Sequence, residues 1–257
     1  MTLRIIMFSI ILQIKQSMAR PMYRFCLIVQ PIAYLIIMYS LFRISGQEDF
    51  MSFVVLGTGF ITLWSTIAFS TAGDLDRERR MGTLKVLFTT TTDYRIVVIS
   101  KALGNTLLGL IPLTLLIIFA MVSGQSNVAE PGWFILSLLL SIVSFLTMSL
   151  VFSAIFTLSR ETRVFMNCLE YPVYILCGIV FPVSYLPKGL QMVSLVMSPT
   201  WGIELLRDSV KGSGNYSEYI QKVCILPTLS VIYFILAVVL LKIIERRVRI
   251  TASLEVG

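Results

Sequence analysis

The sequence predicts an all-α membrane protein: six transmembrane helices, an N-terminal amphipathic helix on the membrane surface, and outer re-entrant helices between spans five and six. Three observations predict it. Of 257 residues, 56% are hydrophobic and 14% charged, against roughly 45–50% and about 25% in a typical soluble domain, and the mean hydropathy is +0.86. The apolar residues come in runs near the roughly 20 that cross a bilayer core of about 30 Å as helix. The basic residues gather in alternate connections between those runs, as in a chain sorted by the positive-inside rule.

These features leave no room for a sizeable water-soluble domain, and residues 1–257 read as a single transmembrane domain. The formal charge of +7 marks a membrane side, so no nucleic-acid partner is expected and the lipid bilayer is. Histidine is absent, which excludes Ser-His triads, imidazole bases and His-dependent zinc sites. Cys26, Cys168, Cys177 and Cys224 lie in or beside apolar runs without a CxxC pair, and read as small buried residues with no disulfide framework. No catalytic, cofactor-binding or metal-ligating residue is expected.

In order along the chain, residues 1–21 form the surface helix. Leu3, Met7, Ile10, Ile14 and Met18 recur at spacings of three and four, with Thr2, Ser9, Gln13, Gln16 and Arg20 on the opposite side. A signal peptide is the rival reading, but Ile5 to Leu12 is short and no A-x-A site follows. Spans are expected at Phe25 to Phe42, Phe50 to Gly73, Ala102 to Ser123, Gly132 to Leu158, Val164 to Phe181 and Val223 to Leu241. Six spans put both termini on one side. With that side cytoplasmic, sixteen of the 21 Lys and Arg are inside, and Arg43, Lys188, Arg207, Lys211 and Lys222 are outside.

Residues 182–222 are the outer region. Leu190 to Met197 is too short to cross and is bracketed by Pro187 and Pro199, so it reads as a re-entrant or interfacial helix. Trp201, Leu205, Leu206 and Val210 then share a stripe, while Glu204, Arg207, Asp208 and Lys211 offer opposite-charge pairs three and four apart. A second short helix exposed at the outer surface is expected. Residues 242–257 form a cytoplasmic tail.

Four features are candidates for function. Glu170, about seven residues into the fifth span, is an intramembrane ionisable residue. It reads either as a substrate or gating contact, or as a shallow group paired with Arg163. Tyr34, Tyr39, Trp64, Tyr171, Tyr174, Phe181 and Tyr185 supply rings in and beside the first, second and fifth spans, for a route taken by an amphipathic substrate or for interface belts and packing. Ser137, Ser141 and Ser144 make a stripe suited to close helix packing, as do the glycines of Leu56 to Phe60. The cytoplasmic segment 74–101 concentrates charge, and within Asp76 to Tyr94 a break at Gly82 precedes Leu84, Val86, Leu87 and Phe88. This describes a short helix along the inner membrane face with one side free to dock a partner. No G-x-x-x-x-G-K-[ST] phosphate loop occurs, so ATP is not bound by that route.

Two stretches resemble a known family. ERRMGTLKVLF, Glu78 to Phe88, resembles the coupling segment of type-2 ATP-binding-cassette (ABC) exporter permeases, whose usual pattern is E-R-E-x-G-T-L-E-x-L. Asn167 to Pro187 with Ser198 to Asp208 resembles that family's fifth span, outer helices and exit to the last span. The resemblance implies half a pore: two permease chains pair, each joined by its coupling helix to a separate ABC ATPase subunit that holds the ATP and Mg2+. It implies coupling residues among Glu78, Arg79, Met81, Gly82, Thr83, Leu84, Lys85, Leu87 and Phe88, and a pathway lined by the first, second and fifth spans. Arg80 and Lys85 stand where the pattern usually has acids, and Thr91 where proline is common. An ATPase groove richer in acid, or a heterodimeric permease, accommodates those changes. Polysaccharide or glycolipid export by the same fold, and a proton-coupled carrier, are the alternative readings.

Overall fold

The computed structural model describes residues 2–45, 50–82, 93–124, 128–158, 162–212 and 216–251, and among these every regular element is helical. In chain order they are α1 (Thr2–Met18), α2 (Pro21–Ser45), α3 (Met51–Arg80), α4 (Tyr94–Val122), α5 (Pro131–Leu158), α6 (Thr162–Leu176), α7 (Lys188–Val196), α8 (Ser198–Lys211) and α9 (Tyr216–Thr251). Five of them, α2, α3, α4, α5 and α9, are long and apolar enough to cross a bilayer.

The centre of the bundle is α3, whose face is apolar nearly all round, and almost every residue of its first half is buried. It is not a uniform α-helix: π-helical turns occupy Met51–Val55 and Ser65–Phe69. Its glycines permit close approach. A methyl group at Gly57 would meet the Met38 side chain of α2 at 2.6 Å and the Ile179 carbonyl at 3.3 Å, and one at Gly59 would collide with Leu113 of α4.

The ends of the bundle differ in chemistry. At the charged end, Leu75 of α3, Tyr94 and Val98 of α4, Val151 and Ala154 of α5, and Leu241 and Ile244 of α9 pack together. At the far end, the Ser137 hydroxyl of α5 lies 2.5 Å from that of Tyr219 of α9. α5 therefore ends at the charged end and α9 begins at the far end, so the chain between them recrosses the bundle. α6 makes that passage with 15 helical residues, about 22 Å at 1.5 Å per residue. The expected fifth helix, Val164 to Phe181, stops at Leu176: Pro172 weakens its last turn and Gly178, at φ 70°, turns the chain away.

Two other expectations are corrected. The polar side of α1 does not simply face water: Gln13 is 1% exposed and Ser17 fully buried against the bundle, while Phe8 is 79% exposed with Met7, Ile11 and Leu12 beside it. Acceptors on α3 and α4 meet that polar face and replace its water. α8 is not an exposed surface helix. Nine of its residues, among them Ile203, Leu205, Leu206 and Val210, are buried. The small-residue stripe of α5 admits it: Ser144 donates to Ser198 at 2.9 Å, and a methyl group at Gly202 would meet Ser141 Oγ at 2.8 Å. The acids of α8 pair across helices, Asp208 and Glu204 with Lys222 of α9 at 2.8 and 3.4 Å, because Arg207 is drawn elsewhere.

Candidate functional site

Between α2, α3 and α6 lies a cavity of about 510 Å3, bordered by Gln30, Ser65, Ser70, Met166, Asn167 and Glu170. Its size is within the roughly 300–1,000 Å3 of small-molecule sites. The second π turn of α3 begins at Ser65, and Gln30 donates to Ser65 Oγ at 2.9 Å across the wall. A π turn re-aims the side chains after it, and such turns recur at functional sites. The carboxylate of Glu170 is half-buried and accepts a hydrogen bond from Tyr174 at 2.8 Å. The ring of Tyr174 meets those of Tyr34 and Tyr171 edge-on, with centroids 6.4 and 6.3 Å apart.

Of the pathway residues read from sequence, the fold thus brings Tyr34, Glu170, Tyr171 and Tyr174 together. The other four lie apart, among them Tyr185, which is exposed in the short turn at Val183–Tyr185. Tyr39 packs edge-on against Phe50 toward the far end, with Arg43 over its ring. Trp64, 2% exposed, is wedged against Phe145 and Phe152 of α5, where it serves the core. Phe181 is half-buried in the turn after α6. Sequence reasoning passed over Gln30, Ser65 and Asn167. Their signal was a polar amide or hydroxyl inside an apolar run, which only acquires meaning when three such runs face one another.

The charged end holds a second polar cluster. Arg20, just after α1, donates to Asp74 Oδ1 of α3 at 2.7 Å and to Ser17 Oγ at 2.9 Å. Gln13 donates to Asp74 Oδ2 at 2.5 Å and approaches Asn105 Oδ1 of α4 at 3.1 Å, and Asn105 in turn donates to Thr71 at 3.0 Å. Asp74, buried except for 7% of its surface, is the hub. A cavity of about 470 Å3 opens here between Arg20, Asp74, Arg77 and Arg80, and it shares Ser70 and Met166 with the first, so the two adjoin.

The expected coupling segment departs from this end. Gly82, at φ 73°, closes α3 in the left-handed conformation that favours glycine. Glu78 is turned back to form an ion pair with Lys101 of α4, which staples together the two helices flanking the segment. Arg79 is half-buried, and Met81 is 68% exposed. Thr83, Leu84, Lys85, Leu87 and Phe88 lie outside the described residues.

At the far end, Arg207 of α8 donates from Nη1 to the Gly178 carbonyl at 2.7 Å and from Nη2 to the Ile179 carbonyl at 3.0 Å. Enclosure pushes its pKa down to about 10 against the opposing pull of Glu204 and Asp208, so it stays cationic at neutral pH.

An all-helical bundle with five helices of membrane length among the described residues defines a polytopic membrane protein. The ABC-2 type transporter family matches residues 6–210, and the chain belongs to that family. It is accordingly an ABC transporter permease, a membrane component of a class that works with an ABC ATPase, and the proton-coupled carrier reading falls away. Comparison with curated proteins gives no significant match.

Proposed function

We propose that the chain is the permease of an ATP-driven exporter, in which two permease chains and two separate ATPase subunits move an amphipathic substrate out of the cytoplasm or inner leaflet. The observation that carries this reading is the cavity between α2, α3 and α6, which Glu170 borders together with Tyr23, Gln30 and Asn167. It adjoins the charged end from which the coupling segment leaves. A polar site among apolar helices serves a solute that has both characters.

The sixteen-to-five division of Lys and Arg supports cytoplasmic termini in a bacterial plasma membrane. The passage of α6 across the bundle supports six crossings, with the exposed apolar face of α1 lying in the membrane surface and α7 with α8 as the outer re-entrant pair. Residues 78–88 dock the ATPase. That partner binds ATP and Mg2+, in keeping with a sequence here that holds no G-x-x-x-x-G-K-[ST] phosphate loop.

Reconstitution of the permease with its co-purified ATPase in proteoliposomes tests the proposal. ATP hydrolysis stimulated by amphipathic solutes, with ATP-dependent movement of those solutes away from the ATPase side, is the expected result. Hydrolysis indifferent to every such solute, with no net movement, overturns it.

A further inference from the structure

Among the described residues that border the α2, α3 and α6 cavity, Glu170 is the one that carries charge. The rest of the wall is apolar, aromatic or neutral and polar: Leu27, Val29, Met166, Tyr23, Gln30, Asn167 and their neighbours. The carboxylate keeps one oxygen on Tyr174, at 2.8 Å. It remains half-exposed toward a space large enough for several aromatic rings. An ionised carboxylate held at membrane depth is stabilised by protein, water or a counter-charge. A cavity whose bordering charge is negative, and whose wall is otherwise mainly apolar with the rings of Tyr23 and Phe25, favours a cation with an apolar body.

The wall already displays that chemistry. The Arg20 guanidinium sits 5.4 Å from the centroid of the Tyr23 ring, and its charge is matched by Asp74. Behind the carboxylate, Tyr174 is buried between Tyr34 and Tyr171 and holds Glu170 through its hydroxyl.

We infer that this cavity selects amphipathic organic cations, with Glu170 as the counter-charge and specificity-determining residue. The inference rests on the exporter reading for its meaning in transport, but binding selectivity tests it separately.

The test uses two ions of nearly the same shape and opposite charge, tetraphenylphosphonium and tetraphenylborate. Equilibrium binding of each is measured to the permease–ATPase complex in phosphatidylcholine nanodiscs, for wild type, Glu170→Gln and Glu170→Asp. Comparing variants in one bilayer cancels the different partitioning of the two ions. Wild type should bind the phosphonium saturably. Glu170→Gln should weaken that binding about tenfold, equivalent to about 1.4 kcal/mol of lost attraction, and leave the borate unchanged or tighter. Glu170→Asp, which keeps the charge, should retain most of the preference and shows that loss in Glu170→Gln is not misfolding. Equal phosphonium binding in wild type and Glu170→Gln, or none in wild type, overturns the inference. If the phosphonium binds as expected but neither stimulates ATP hydrolysis nor moves, the exporter reading fails while the cation site stands.

Discussion

Arg207 places both ends of its guanidinium fork on the carbonyls of Gly178 and Ile179, at 2.7 and 3.0 Å, and so closes the chain just beyond α6. The carbonyls of the last turn of α6, at Val173, Tyr174 and Ile175, already accept from the backbone N–H groups of Cys177, Ile179 and Gly178. What Arg207 satisfies are therefore the two carbonyls of the turn that follows, and it ties that turn to α8. The position is not available to Lys, which has a point charge in place of a planar fork.

Arg207→Ala should lower stability by about 2 kcal/mol, the scale of charge-assisted hydrogen bonds lost from a largely enclosed site. Arg207→Lys should recover only part of it. Thermal unfolding of the three proteins in the same detergent checks the order; a lysine variant as stable as wild type would show that charge alone suffices.

Gly104 should prove indispensable for seating α1. A methyl group there would meet Gln13 Cγ and Cβ at 3.0 and 3.1 Å and the Ile10 carbonyl at 3.3 Å, and a β-branched side chain has no room at all. In a background free of native cysteines, Ser17→Cys should react slowly with a maleimide and severalfold faster once Gly104→Val is added. Unchanged reactivity would mean that α1 does not rest on α4.

Asp74 is expected to couple Arg20 to the bundle. Asp74→Asn leaves a guanidinium without its counter-charge, and because Arg20 is partly exposed the cost should be about 2 kcal/mol, below that of a fully buried pair. In a double-mutant cycle with Arg20→Met, the second change should cost much less once the first is made. Additive losses would show that the pair does not act as one.

Coupling should be lost at Leu84. Leu84→Asp should remove about 1.5–3 kcal/mol of apolar burial from the ATPase contact, and membrane insertion should persist. Co-purification of the ATPase with a tagged Leu84→Asp permease, against Thr91→Asp as control, measures it. Equal recovery from both would locate the docking surface elsewhere.

Sidedness has its own measurement. Single cysteines at Ser126 and Ser213 should react with a membrane-impermeant reagent on intact cells, and one at Thr91 should be protected. Labelling of Thr91→Cys with protection of Ser126→Cys would invert the assignment.

Composition and run length were enough, by themselves, to place this chain in a bilayer and to locate five membrane-length helices, because twenty apolar residues have few other destinations. The resemblance of Glu78 to Phe88, and of Asn167 to Pro187 with Ser198 to Asp208, to a known family pattern pointed to the family that the match over residues 6–210 shows. What the linear pattern left open is which side of each helix meets another. On α1 the polar stripe reads identically whether water or Asp74 satisfies it, so the burial of Gln13 was legible only in three dimensions. Trp64 and Tyr34 are both rings within spans; one faces α5 and the other Tyr174, and rotation about a buried helix axis leaves no trace in hydropathy. The site likewise depends on contacts between residues as distant as Gln30, Ser65 and Glu170, and such long-range juxtaposition is set by how helices pack, through close approaches at Gly57 and Gly202 and the hydrogen bond that Arg207 donates to Gly178. Tertiary packing alone decides which polar groups inside apolar spans face one another, because each must find a partner or a hydrated cavity once water is excluded.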